Sequence, residues 1–144
     1  MRRRVPGLAG ALLGLAVLVA APMAAAPAGW SGAHRVGAQG QPLVRQLGAH
    51  RAYGRTEVRV VGTDWRGYRL SEPFRVHGRW RLYLTLDGAR LSLYAPRTPR
   101  AVGVVSKLAA EQRPGGVRIT VESSALRPYG FRAAGDTLVV WLGD

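Results

Sequence analysis

From Leu43 to the C-terminus, apolar and polar residues alternate in short segments separated by turn residues. A two-residue period marks a strand with one buried face. Residues 56–61 set Val58 and Val60 on one face, Glu57 and Arg59 on the other. Residues 79–86 place Trp80, Leu82, Leu84 and Leu86 opposite Arg79, Arg81, Tyr83 and Thr85, and Asp87-Gly88 closes the run with turn chemistry. Residues 117–122 turn Val117, Ile119 and Val121 inward. Residues 137–142 do the same with Leu138, Val140 and Leu142. Less regular runs cover residues 43–47, 68–76 (broken near Pro73), 101–107 and 126–134. A helical i, i+3, i+4 stripe is absent, apart from one turn expected near residues 108–112.

The order of these segments recurs. Val58 matches Val117 at an offset of 59, Tyr68 matches Tyr129 at 61, and Leu82 matches Leu138 at 56. Such agreement points to an internal repeat of four strands. The matching places of Tyr68 and Tyr129 imply a shared packing role. Eight strands with one apolar face each predict two sheets packed face to face. The expected fold class is therefore all-β, a small sandwich of two similar four-stranded halves over residues 43–144. Its core is expected to hold Val58, Val60, Leu82, Leu84, Leu86, Val117, Ile119, Val121, Leu138, Val140 and Leu142.

The first 42 residues read differently. Arg2, Arg3 and Arg4 precede an apolar run over residues 8–21, and Pro22 and a string of small residues follow. Cationic start, apolar middle and small-residue exit make a signal peptide, with cleavage expected after Ala28. The run has 14 residues, short of the roughly 20 needed to span a bilayer. The alternative is an uncleaved anchor. The three arginines hint at twin-arginine export, but the rest of that motif is missing, so the general route is expected. Residues 29–42 lack periodicity and are expected to be a flexible lead-in. The mature chain would have 144 − 28 = 116 residues and a net charge of +13 − 3 = +10. It is expected to be exported and periplasmic, with no membrane span after cleavage.

Composition narrows the chemistry. Cysteine is absent, which excludes disulfides, thiolate metal sites and a cysteine nucleophile. His34, His50 and His77 are scattered, the first two in or near the lead-in, so no metal site and no cofactor are expected. No G-x-S-x-G occurs, and nothing pairs Asp64, Glu72 or Glu122 as glycosidase carboxylates. Salt bridges to the many arginines are the stronger expectation for these acids, and the chain is not expected to be an enzyme. Trp80, in register with Leu82, is expected to pack in the core, whereas Trp65 is open to either role.

The stretch YRLSEPFRVHGRWRLYLTLDGARLS resembles the middle of an AMIN domain, and VGVVSKLAAEQRPGGVRITVESSALRPYGFRAAGDTLVVWLG is similar to that family's second half. Two departures stand out. Val76-His77-Gly78 replaces the family's frequent Asn-Pro, and Asp87 with Thr85 replaces the usual acid of the Arg-Leu strand. The resemblance implies a β-sandwich of the bacterial cell envelope that binds peptidoglycan or positions its protein there. Here it would be a stand-alone domain.

Outward arginines next to outward aromatics suit such a ligand. Arginine forks match carboxylates, and aromatic faces pack on sugar rings. Arg59, Arg81, Tyr83, Arg118 and Trp141 each stand one step off their strand's apolar face and are the expected peptidoglycan-binding residues. The alternative is an assembly or interaction factor for a secretin, type IV pilus or division complex, docking through an exposed sheet edge. Nucleic acid is not an expected partner. Only the net charge favours it, and export argues against it.

Overall fold

A computed structural model describes the backbone of Ser31 and Gly32 and residues 40–144 in full. The expected signal segment and most of the expected lead-in, with His34, lie outside the described residues. Within them the chain is all-β, a sandwich of eleven strands in two sheets, with no helix. The strands are β1 (Ser31–Gly32), β2 (Leu43–Ala52), β3 (Arg55–Thr63), β4 (Tyr68–Leu70), β5 (Phe74–Val76), β6 (Arg79–Asp87), β7 (Arg90–Leu91), β8 (Val105–Arg113), β9 (Gly116–Ser123), β10 (Tyr129–Ala134) and β11 (Thr137–Gly143).

The larger sheet has the order β1-β4-β6-β9-β8, with β5 added on β6, and the smaller has the order β10-β11-β3-β2-β7. Every pair is antiparallel except β2 with β7. The two halves are interleaved. Each sheet joins the opening hairpin of one half to the closing strands of the other: β2-β3 lie beside β11-β10, and β9-β8 beside β6-β4.

Strand pairing fixes the repeat residue by residue. Leu47 faces Val60 and Leu108 faces Val121, and both pairs are offset by 61 (108 − 47, 121 − 60). The bulges obey the same offset, between Val44 and Gln46 in β2 and between Val105 and Lys107 in β8. Tyr68 pairs with Leu86, and Tyr129 with Leu142. The tyrosines are again 61 apart, while their partners are 142 − 86 = 56 apart. Phe74 pairs with Arg81 as Ala134 pairs with Thr137, so one of the five extra residues lies before Phe74 and four lie in the longer hairpin end that carries Arg75 and Val76 of β5. Val58 thus corresponds to Ile119, not to Val117, which corrects the sequence offset of 59 by one strand period.

Inward side chains of both sheets make a single core. All eleven residues expected there are in it, joined by Val44, Leu47, Trp65, Tyr68, Leu70, Val105 and Leu108. Burying each Leu or Val contributes about 1.5–3 kcal/mol. The Tyr68 and Phe131 rings meet at 5.0 Å across the two sheets. Tyr129 packs against the same core, half-buried.

Several local expectations are overturned. Residues 108–112 are strand, with Leu108 and Ala110 buried at alternate positions. Their Leu, Ala, Glu and Gln favour helix, but pairing with β9 and core burial outweigh tenths of a kcal/mol of propensity. Part of the lead-in is also structured, because Ser31 and Gly32 pair with Arg69 and Tyr68 of β4. Trp80 is only half-buried at the sandwich end and lies outside the core, whereas Trp65 is 5% exposed within it. His50 belongs to β2, not to the lead-in. The hairpin tips Tyr53-Gly54 and His77-Gly78 have positive φ at both residues, the geometry that suits two-residue connections of twisted strands.

Candidate functional site

Two-residue periodicity sends every second side chain of β3, β6, β9 and β11 to an outer face. Arg59, Arg81, Tyr83, Arg118 and Trp141 all stand on such faces, but not on one surface. Arg81, Tyr83 and Arg118 lie on the larger sheet, and Arg59 and Trp141 on the smaller one. The core separates the two groups.

On the larger sheet, Arg81 of β6 is opposite Glu122 of β9. Glu122 is 5% exposed, and Arg81 reaches it with Nε (2.9 Å) and Nη2. Arg81 Nη1 also donates to the Tyr83 hydroxyl at 3.3 Å. These bonds, first to Tyr83 and then to Glu122, raise the Arg81 pKa further above its ordinary value, so the group is a permanent cation. The Arg118 guanidinium stands over the Tyr83 ring, 4.7 Å from its centre. The Phe74 ring packs beside Tyr83 at 5.0 Å and 57°. A shallow groove of about 370 Å³ runs across these residues to Lys107, Glu111 and Arg113 of β8. It holds four cations, Arg81, Arg113, Arg118 and Lys107. Two of them are matched, Arg81 by Glu122 and Arg113 by Glu111 at 3.3 Å. Arg118 and Lys107 have no carboxylate partner among the described residues, and Arg118 Nε is buried without an acceptor.

On the smaller sheet, the centre is an acid. Glu57 points outward from β3, yet only 1% of it is exposed, because basic side chains cover it. Arg55 donates to its Oε1 through Nη2 (2.7 Å) and Nε (3.1 Å). Arg59 donates to Oε2 through Nη2 (3.0 Å) and Nε (3.3 Å). Arg132 of β10 reaches both oxygens at 3.5 Å, and His50 Nε2 of β2 lies 3.3 Å from Oε2. Burial by itself would push the Glu57 carboxyl up. The hydrogen bonds from Arg59 and Arg55 and the charge of Arg132 outweigh it and hold the pKa below the ordinary value. Trp141 is Glu57's neighbour on β11 and leans over Gly130 of β10, where a Cβ would come within 2.4 Å of the indole. The Arg55 guanidinium stands 5.6 Å from the Trp141 ring centre.

The rings of Tyr83 and Trp141 therefore carry arginines. Each such contact is worth about 0.5–1 kcal/mol. Both faces present guanidinium groups, whose donors suit anions. Among the described residues, no three His, Asp or Glu side chains come together as metal ligands.

The Glu57 cluster went unread in the sequence, although part of it was available there. Arg55, Glu57 and Arg59 at alternate positions of one strand must share a face. Arg132 and His50 arrive from other strands through pairing, as Lys107 and Arg113 do on the opposite sheet. Comparison of the chain with family models, with curated proteins and with solved structures found no match.

Proposed function

We propose that this chain is a non-catalytic module of the bacterial cell envelope that holds peptidoglycan by the carboxylates of its peptides. The observation that carries the reading is the groove on the larger sheet, where Arg118 and Lys107 lack acidic partners beside the fixed fork of Arg81. Four cations against Glu111 and Glu122 leave the groove with +2, which favours external anions, and guanidinium forks fit carboxylates in two-point contact. The expected export and the AMIN-like sequence pattern favour the wall as the source of those anions. Each contact is exposed and weak, so binding is modest, shared among residues and reduced by salt.

Pelleting with isolated sacculi tests this. Wild type is expected to pellet at low salt and less at high salt, and an R118A/K107A double variant to stay largely in the supernatant while folded. Equal pelleting of folded wild type and variant would remove the groove from the reading.

A second reading, an assembly factor docking by strand addition, has its own support. Strand β7 pairs with β2 only at Leu43 and Val44, so residues 46–52 form an open edge opposite β3. Failure of wild type to pellet at any salt would transfer the proposal to that edge.

A further inference from the structure

We propose that the outer face of the smaller sheet is a second binding site, for a doubly charged phosphate group, formed by Arg55, Arg59 and Arg132 around Glu57. It lies across the sandwich from the groove and does not depend on the peptidoglycan reading.

Charge and geometry carry the proposal. Three guanidiniums against one carboxylate leave +2 within one cluster. A singly charged carboxylate ligand would leave half of that uncompensated. A phosphate monoester or inorganic phosphate carries about −1.5 to −2 at neutral to slightly alkaline pH and offers at least three acceptor oxygens. Each guanidinium has five N–H donors. Arg55 and Arg59 commit Nε and Nη2 to Glu57, and Arg132 commits Nη2. The Nη1 groups of all three, and the Nε of Arg132, have no acceptor among the described residues. The three side chains are 35%, 49% and 53% exposed, so these outer edges reach solvent.

Glu57 is the device that prepares the site. Its oxygens hold Arg55 and Arg59 side-on, and Trp141 supports Arg55 from the side, so little rotamer freedom is left to lose on binding. Space is available as well. Gly48 is the neighbour of Arg59 on β2, and a Cβ added there meets nothing within 4 Å.

The test is an NMR titration of the full chain with inorganic phosphate at slightly alkaline pH, against chloride at matched ionic strength. Saturating shifts are expected for the Arg55, Arg59 and Arg132 side chains, the His50 ring and the Trp141 indole. Arg132→Gln removes one charge without uncovering the closest Glu57 contacts and is expected to weaken binding about tenfold, the loss of one charge-assisted hydrogen bond. Gly48→Asp places an acid beside Arg59 in open space and is expected to weaken it at least as much with the fold intact. Phosphate shifts no larger than those of chloride would overturn the proposal, as would full affinity in both folded variants. Flotation with phosphatidic acid vesicles but not phosphatidylcholine vesicles, lost in Arg132→Gln, would support the site with a lipid headgroup as its source. Phosphate binding without flotation would support it with a soluble phosphomonoester.

Discussion

The two outer faces of this sandwich are built on equivalent positions of a repeat, yet they arrange their charges differently. Inward, the equivalents are alike: Leu47 and Leu108, Val58 and Ile119, Val60 and Val121, all within the core. Outward, Glu57 corresponds to Arg118, Arg59 to Thr120, and Val61 to Glu122. Inner positions must fill a shared space at interior density, so apolar volume is fixed there. Outer positions are free of that demand. One face has closed around a buried acid, and the other has left two cations open.

Breaking the core tests the equivalence most severely. Leu84 and Val140 occupy matching positions, both fully buried. Leu84→Asp and Val140→Asp are each expected to abolish cooperative urea unfolding, since an uncompensated buried charge costs several kcal/mol. One such variant folding normally would end the account of a single shared core.

The acids should separate the faces. Glu57→Gln leaves three arginines without their counter-charge and is expected to cost about 2 kcal/mol, a figure reduced because those arginines are partly exposed. Glu122→Gln frees only Arg81 and is expected to cost about 1 kcal/mol. Equal losses in urea melts would contradict the asymmetry. The pH dependence should follow Glu57 as well. Its folded pKa is held below the ordinary 4.5, so its contribution is complete above that value and is lost as pH falls through the depressed folded value. Acid unfolding of wild type should therefore be steeper than that of Glu57→Gln over this range.

A smaller effect is expected at Gly130→Ala. The new methyl must displace the Trp141 indole, at about 1–2 kcal/mol, and near-ultraviolet circular dichroism should change. Smallest of all, Arg59→Ala and Arg118→Ala should each alter stability by less than about 1 kcal/mol, as partly exposed charges do.

Alternation made the core legible, because a period of two says which side chains go inside. It does not say which strands pair. The crossing of β2-β3 onto β11-β10, and of β8-β9 onto β6-β4, was therefore hidden, and with it the division of Arg59 and Trp141 from Arg81, Tyr83 and Arg118. Residues 108–112 misled because their propensity is local and the force that straightens them is tertiary. The short β7 was unreadable for a related reason. Arg90 and Leu91 have no pattern of their own, and they are held as strand by Leu43 and Val44. In the site, neighbours two residues apart in one strand could be seen, whereas partners from adjacent strands required the register.

The most direct test of two faces with separate chemistry is an NMR titration of the full chain with a soluble, carboxylate-bearing peptidoglycan fragment. Shifts are expected at Arg81, Tyr83, Lys107 and Arg118, with the resonances of Arg55, Arg59, His50 and Trp141 unmoved. Shifts centred on the Glu57 cluster, or on neither face, would contradict the account.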